Sequence, residues 1–205
     1  MTFPMADDAW VAAARPTAAN IPRPFDDGKG EARSAEVVEL EQRLVERAQD
    51  GDRDAFGDLY RIHRPGVFRL TRFYLGAGAE DAVSETFVRA WAALPRYRRT
   101  GAPFASWLHA IARHVAMDEL RKSGRSEPRD ELPDAGVEPM TAERLALSQA
   151  LECLPTEQRQ VIELKFLVGL TNPEVARALN STPGAVNSRQ WRALAALREL
   201  LGGET

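Results

Sequence analysis

Basic and aromatic side chains alternate over residues 96–125, where the residue types most clearly suggest chemistry. Arginine and lysine neutralise phosphate groups, and exposed aromatic rings offer faces on which unpaired bases stack. Residues 86–125 carry eight basic and two acidic side chains, although the 205-residue chain has a formal net charge of −3. This local excess predicts a surface for single-stranded or melted nucleic acid.

Some residues of this segment also have an ordinary structural interpretation. Phe104, Leu108, Ile111 and Val115 recur at helical spacing, so we expect them to pack in a core. Tyr97 precedes this helix in a loop and is expected to be exposed, whereas Trp107 fits either role. The arginines could also belong to a solvated helix face.

A second candidate site lies at residues 180–198, NSTPGAVNSRQWRALAALR. Thr182 is a predicted N-cap, and Pro183 falls at the first helical position, where its missing N–H costs nothing. Gly184 leaves room for a close approach. Of the residues that follow, Ser188, Arg189 and Arg192 are expected to face outward. The core side is expected to carry an apolar stripe of Val186, Leu194, Leu197 and Leu201. Trp191 is also expected to face the core.

The preceding residues predict a shorter helix. Thr171 and Glu174 have capping-box spacing, and Asn180 suits the left-handed position that ends a helix. A short helix, a tight turn and a longer helix with polar early turns form the helix-turn-helix pattern, whose second helix usually enters the major groove. The alternative is a helical hairpin with a solvated face.

The sequence has no arrangement typical of an enzyme. His63, His109 and His114 lie outside any metal-binding motif, and there is no Gly-rich phosphate loop. The single cysteine, Cys153, is expected to be a small buried hydrophobe and fits a reducing compartment. The sequence has neither a signal-peptide pattern nor an apolar run of about 20 residues. We therefore expect a cytoplasmic protein that is not an enzyme and has no cofactor and no metal.

Helical spacing without any alternating strand pattern predicts an all-α fold of two helical modules. Residues 1–33 are rich in proline and are expected to be a disordered N-terminal extension. The first module spans 34–125 and the second 141–203. Between them, residues 126–140 carry five acidic and one basic side chain, which predicts an acidic flexible linker. Pro65-Gly66 is expected to interrupt a helix within the first module.

These segments follow one another in the order found in bacterial RNA polymerase sigma factors. Over roughly residues 40–200 the chain resembles the extracytoplasmic-function (ECF) group of the sigma-70 family, through DAFGDLYRIHRPGVFRLTRFYL, AEDAVSETFVRAWAALPRY, FASWLHAIARHVAMDELRK and LPTEQRQVIELKFLVGLTNPEVARALN. The resemblance implies that the first module (sigma region 2) binds the clamp helices of core RNA polymerase and captures the melted −10 element. It implies that the second (sigma region 4) binds the −35 element as duplex, with the linker in the polymerase channel.

Carried over residue by residue, the resemblance implies three groups of site residues. The polymerase-binding group is Asp81, Glu85 and Arg89. The −10 group is Arg96, Tyr97, Arg98, Arg99, Phe104, Trp107, Arg113, Arg121 and Lys122. The −35 group is Thr182, Gly184, Asn187, Ser188, Arg189 and Arg192.

The resemblance is not complete. Where the family commonly has T-V-K-S-R-L-H-R, this chain has A-V-N-S-R-Q-W-R. Asn187 therefore replaces a basic residue and gains the option of a bidentate contact with adenine. Gln190 and Trp191 replace an apolar residue and a histidine, so family rules for the −35 sequence do not transfer directly.

The predicted function is that of a transcription initiation factor whose partners are core RNA polymerase and promoter DNA, with no membrane insertion; an anti-sigma factor stays open as a further partner. The alternative is a helix-turn-helix regulator that binds DNA independently of polymerase. It explains residues 170–200 but gives no role to the basic and aromatic segment. A helical adaptor acting only through protein contacts explains neither. The acidic helix at 79–94 fits a docking face, or a solvated face with i,i+4 pairs such as Glu85–Arg89.

Overall fold

The computed structural model describes residues 35–123 and 141–202, and within these ranges the elements are helices joined by short turns, with no strand. This confirms the predicted all-α fold of two helical modules. The predicted extension at 1–33 and linker at 126–140 lie outside the described residues. The first module contains helices α1 to α4, which are Ala35–Gln49, Arg53–Leu75, Ala79–Ala93 and Phe104–Ser123. The second contains α5 (Ala142–Cys153), α6 (Thr156–Ile162), a π-helical turn (Glu163–Val168), α7 (Asn172–Ala178) and α8 (Pro183–Leu200).

The core of the first module is formed by apolar side chains that recur at helical spacing on all four of its helices. Phe56 packs against Phe87 and Trp91, with ring centroids 6.3 Å and 4.8 Å apart. Other buried members are Leu44, Leu59, Leu70, Val83, Leu94, Phe104 and Leu108. The core assignments for Phe104, Leu108 and Val115 are confirmed, whereas Ile111 is only partly buried against this core.

The expected interruption at Pro65-Gly66 is wrong, because α2 runs from Arg53 to Leu75 without a break. Proline removes one backbone hydrogen bond and typically costs about 3 kcal/mol in a helix interior. Leu59, Val67 and Leu70 lie on either side of it, and all three are buried against neighbouring helices. Burial of this long apolar face offsets the local cost.

The caps of the second module follow the sequence prediction. Thr171 and Glu174 form the capping box at the start of α7, and Asn180 adopts a left-handed φ of 47° after it. Thr182 caps α8 by accepting a hydrogen bond from the Ala185 N–H at 3.2 Å.

The predicted apolar stripe of α8 is only half right. Val186 and Leu197 are buried together with Ala193, whereas Leu194 and Leu201 are exposed. The expectation that Trp191 belongs to the core is wrong, because this residue is 73% exposed. Five residues separate it from Val186, which places it about 140° around the helix and away from the buried side.

The expected burial of Cys153 is also wrong, since its side chain is exposed. It is the last residue of α5, and the residue that enters the core at this corner is the neighbouring Leu154. A change of one position at a helix end is enough to exchange the buried and exposed side chains.

The two modules pack directly against each other. Phe73 of α2 contacts the core cluster of the second module, and Ala105 of α4 is buried with Val161 and Leu164. The Arg69 side chain donates to the backbone carbonyls at both Leu167 and Val168, at 2.9 and 3.2 Å. No local sequence pattern predicts this contact.

Candidate nucleic-acid interface

The early turns of α8 carry a cluster of outward polar groups. Thr182, Gly184, Asn187, Ser188 and Arg192 are all exposed. Gly184 faces open space, because a Cβ added there would meet no atom within 4 Å. The helix is held in place from its opposite side by Val186, which is fully buried. The structure therefore brings five of the six predicted −35 residues to one open surface.

Arg189 is the sixth predicted −35 residue, and its side chain is only 25% exposed. Its guanidinium donates to Glu157 Oε2 at 2.8 Å and to Ser181 Oγ at 2.6 Å. These contacts hold the side chain back along the protein surface. It must exchange them for DNA contacts before it can read a base.

Two residues that the sequence analysis did not select lie beside Asn187. Asn172 donates from Nδ2 to Asn187 Oδ1, and Lys165 donates from Nζ to Asn172 Oδ1 at 2.6 Å. They come from the π-helical turn and the first position of α7, so nothing in their spacing to Asn187 indicates the contact. Their polarity next to a helix-turn-helix is the only sequence signal for them.

The aromatic members of the −10 group form one cluster at the start of α4. The Tyr97 and Trp107 rings lie 4.8 Å apart, and Phe104 lies 5.1 Å from Trp107 and 5.5 Å from Tyr97. Phe104 is 5% exposed and forms the base of the cluster, so it supports the other rings from the core rather than offering a free face. Tyr97, expected to be exposed, is half-buried like Trp107, and burial raises the pKa of its phenol.

Basic side chains border this aromatic cluster and continue along α4. Arg96, Arg98 and Arg99 are exposed in the loop, where Arg99 donates to Gln42 Oε1 at 2.9 Å. Arg121 and Lys122 are exposed at the end of α4, and each pairs with an acidic residue three positions earlier. Surface pairs of this kind are weak, so these cations can exchange their partners for phosphates.

Arg113 differs from the other members of the −10 group, because it faces the second module. It donates to Glu163 Oε1 at 3.0 Å and to Glu152 Oε1 at 2.6 Å. Glu163 is fully buried and also accepts a hydrogen bond from the Tyr74 hydroxyl. His109 Nε2 lies 3.1 Å from Glu163 Oε2, although neither atom forms a well-aligned hydrogen bond.

The surroundings of Glu163 favour its charged form. Burial by itself would raise the pKa of the carboxyl group, but His109, Tyr74 and Arg113 outweigh burial and hold the pKa below its ordinary value. The pKa of Tyr74 is raised by burial and by the Glu163 carboxylate. A charged carboxylate of the second module is therefore held between groups of α2 and α4.

The predicted polymerase-binding residues lie on α3. Asp81 is exposed, and Arg89 donates from Nε to Glu85 Oε1 at 2.6 Å, which is the i,i+4 pair expected from the sequence. Arg89 also lies 3.3 Å from Asp118 of α4. The Glu85 hydrogen bond is the leading reason why the pKa of Arg89 is raised. Arg89 therefore connects two helices, while Asp81 and Glu85 leave carboxylate surface open.

Two protein-family models match the chain: Sigma-70 region 2 over residues 59–126 and Sigma-70, region 4 over residues 144–197. The chain is 37% identical over 172 residues to the ECF RNA polymerase sigma factor SigD of Mycobacterium tuberculosis, covering 76% of this chain and 81% of SigD. It is 33% identical over 176 residues to the ECF RNA polymerase sigma-E factor of Salmonella typhimurium, and this match covers 77% of this chain and 92% of the sigma-E factor.

A solved structure of CnrH in complex with the cytosolic domain of CnrY is also similar, with a TM-score of 0.56 and 29% identity over 81% of this chain and 99% of CnrH. Fold and relatives together define a transcription initiation factor that works with RNA polymerase at promoters. More particularly, the chain belongs to the ECF group of the sigma-70 family. Among the helices described, none combines the length and apolar character needed to cross a membrane.

Proposed function

We propose that this sigma factor reads the −35 element as duplex through α8 and the −10 element as melted strand through the start of α4. The observation that carries the proposal is the set of polar groups exposed together on α8, opposite the buried Val186. The N-terminal end of a helix adds backbone N–H groups and a favourable dipole for phosphates.

The aromatic cluster supports the assignment of the −10 unit. Tyr97 and Trp107 are half-buried, so each ring is fixed by packing while part of it stays accessible. A fixed ring loses little conformational freedom when a base stacks on it, and such stacking contributes about 1–3 kcal/mol per base. Arg96 and Arg98 flank Tyr97 in sequence and are exposed, and they are proposed to bind the strand's phosphates.

Docking to core RNA polymerase is assigned to the acidic surface of α3. Asp81 and Glu85 are the groups proposed to contact the polymerase, while Arg89 holds Glu85 and Asp118 in place. In this proposal residues 34–125 act as region 2, residues 126–140 as the connecting linker and residues 141–203 as region 4. Residues 1–33 are outside both reading modules.

The protein is proposed to act by binding rather than by catalysis, in the cytoplasm where the polymerase works. CnrH has been solved with the cytosolic domain of CnrY, and we infer by analogy that this chain has a protein partner of its own, an anti-sigma factor. Competition between such a partner and core polymerase would be the expected form of regulation.

The proposed −35 reading is tested by a base-substitution scan of the −35 element with complete holoenzyme. Arg189→Ala is expected to cost about 1–3 kcal/mol and to relax the preference at one position, as for a bidentate contact with guanine. Arg192→Ala is expected to weaken all −35 sequences evenly and to lower the salt slope by about one unit. If Arg189→Ala lowers every promoter equally, Arg189 does not read a base.

A further inference from the structure

Lys165, Asn172 and Asn187 form a chain of side-chain hydrogen bonds across the helix-turn-helix. Lys165 Nζ donates to Asn172 Oδ1 at 2.6 Å, and Asn172 Nδ2 donates to Asn187 Oδ1. Lys165 and Asn172 are half-buried, whereas Asn187 is exposed on the open surface of α8. The series of hydrogen bonds therefore begins at a half-buried lysine and ends on a residue that faces the proposed DNA site.

The direction of this hydrogen-bond chain is determined by the lysine. An ammonium group can only donate, so the atom of Asn172 that faces Lys165 must be the oxygen. Asn172 must then turn its amino group toward Asn187. An amino group needs an acceptor, so Asn187 must turn its oxygen toward Asn172 and its own amino group away. The orientation of Asn187, which a bare amide would leave ambiguous, follows from the chemistry of its neighbours.

This orientation changes what Asn187 can read. A bidentate contact with adenine requires the asparagine oxygen to accept from N6 while the amino group donates to N7. The hydrogen bond from Asn172 turns this oxygen toward α7, so the side of the amide left facing outward is the amino group, with its donor hydrogens. The exocyclic groups of the bases then decide the preference, because guanine and thymine present keto oxygens in the major groove whereas adenine and cytosine present amino groups, which cannot accept. The N7 acceptor is common to adenine and guanine and does not distinguish them.

We propose that Asn187 is a donor-only reader that selects a keto base in the −35 element, and that Asn172 is the positioning residue that imposes this choice. The inference rests on the proposed function, because it assumes that α8 lies in the major groove. It replaces the adenine preference that the sequence alone suggested for Asn187. Lys165 takes part indirectly, by fixing Asn172.

Asn172→Asp supplies a sharp test, because it reverses the direction of the hydrogen bond. An aspartate has only acceptors, so Asn187 must turn its amino group inward and present its oxygen to the DNA. The base preference at one position is then expected to change from keto to amino, that is, from guanine or thymine to adenine or cytosine. The added negative charge weakens binding to every sequence alike and cannot produce a reversal at one base pair.

The experiment uses core RNA polymerase with the full chain and a promoter that the unmodified holoenzyme transcribes. Each −35 base pair is replaced by the other three, and initial transcript rates are compared for the unmodified chain, Asn172→Asp, Asn172→Ala, Asn187→Ala and the Asn172→Asp/Asn187→Ala double variant. At one position we expect the unmodified chain to favour a keto base by roughly fivefold or more, as one good base contact allows. We expect Asn172→Asp to reverse this preference. We expect Asn172→Ala to leave the Asn187 amide free to turn, so that adenine is accepted at this position as well.

The remaining variants distinguish a failure of this inference from a failure of the proposed function. Asn187→Ala and the double variant should show the same flat profile at that position, because Asn172 acts through Asn187. If Asn172→Asp keeps the preference of the unmodified chain, or if Asn187→Ala retains it, the inference is overturned while −35 reading stands. If the unmodified chain shows no dependence on any −35 base, the proposed function itself fails. Should Asn172→Asp fold poorly by circular dichroism, Asn172→Ala decides, since a retained keto preference in it also overturns the inference.

Discussion

Trp191 shows how far the surroundings of a single residue decide its role. An aromatic side chain next to an apolar stripe is normally a core residue, yet Trp191 projects into solvent beside the proposed reading residues. It has little buried area to lose, so its contribution to folding must be small. Its place on α8 makes it part of the surface that the helix presents to partners.

We expect Trp191→Ala to leave the free energy of unfolding within about 0.5 kcal/mol of its original value, as is usual for exposed positions. Val186→Ala is the matched control on the same helix, and it should cost about 2 kcal/mol because Val186 is fully buried. Urea denaturation of both variants measures the difference. Equal losses in the two variants would contradict the exposed position of Trp191.

Gly184 allows stability and DNA binding to be separated. An alanine there meets no atom of the protein, and replacing a helical glycine by alanine stabilises a protein by up to about 1 kcal/mol. We expect Gly184→Ala to raise the melting temperature slightly and yet to weaken −35-dependent transcription, because the added methyl group occupies the approach of the DNA backbone. Transcription unchanged by this substitution would show that no DNA group comes close to Gly184.

At the scale of helices and turns, the sequence predicts what is decided locally. The caps at Thr171 and Thr182 and the left-handed Asn180 each depend on a few neighbouring residues, and all three are confirmed. The helix through Pro65 could not be predicted in this way, because long-range burial of α2 outweighs a local signal. The side of α8 that is buried depends on where α5 and α6 lie, which is why Leu194 and Trp191 were misassigned.

The candidate site, like the helices, can be predicted from the sequence only in part. Residue types and order were enough to locate α8 and the basic segment of α4, but not to show which of their side chains already have partners. Arg113 and Arg189 are engaged by Glu163 and Glu157, which are distant in sequence. Such pairings depend on the packing of the modules, and no local spacing encodes them.

The α3 surface gives a prediction at the level of the helix. Glu85→Arg breaks a partly exposed pair with Arg89, so the melting temperature should hardly change, since such pairs contribute at most about 1 kcal/mol. Binding to core polymerase should weaken, because a docking carboxylate becomes a cation. Glu39→Arg is the control, since it breaks the comparable Glu39–Arg43 pair on α1. A large drop in melting temperature for Glu85→Arg alone would assign Glu85 to the fold instead.

At the scale of the whole molecule, the contact between the modules engages part of the proposed −10 surface. Arg113 is paired with Glu163 and Glu152 of the second module. The free chain is therefore expected to bind promoter DNA weakly until polymerase separates the modules. Sub-micromolar, sequence-specific duplex binding by the free chain at about 150 mM salt, where counterion release is already costly, would count against this.

Glu163→Gln is expected to loosen this contact, because it removes the buried charge that faces His109 and Arg113. Breaking one side of a buried ion pair costs about 3 kcal/mol. The variant should have a larger radius of gyration by small-angle X-ray scattering and should bind single-stranded −10 DNA more tightly. Glu152→Gln, at an exposed partner of Arg113, is the control and should change both measurements much less.

Because of the same contact, we expect the stability of the folded chain to depend on pH. The pKa of Glu163 lies below its ordinary value of 4.5, so the stabilisation from its charge is complete above that value and is lost as the pH falls through the folded pKa. The unmodified chain should therefore lose stability on acidification more steeply than Glu163→Gln. If the free energy of unfolding falls equally steeply with decreasing pH in the two proteins, Glu163 is not held in its charged form by its neighbours.

Transcription of genomic DNA by core polymerase with and without the chain, followed by mapping of the transcript starts, tests whether this chain directs RNA polymerase to its promoters. We predict a defined set of starts that appears only when the chain is added, that shares −35 and −10 sequences and that is lost with Glu85→Arg but kept with Glu39→Arg. A chain that binds DNA specifically without adding a single start to those of core polymerase would contradict the account.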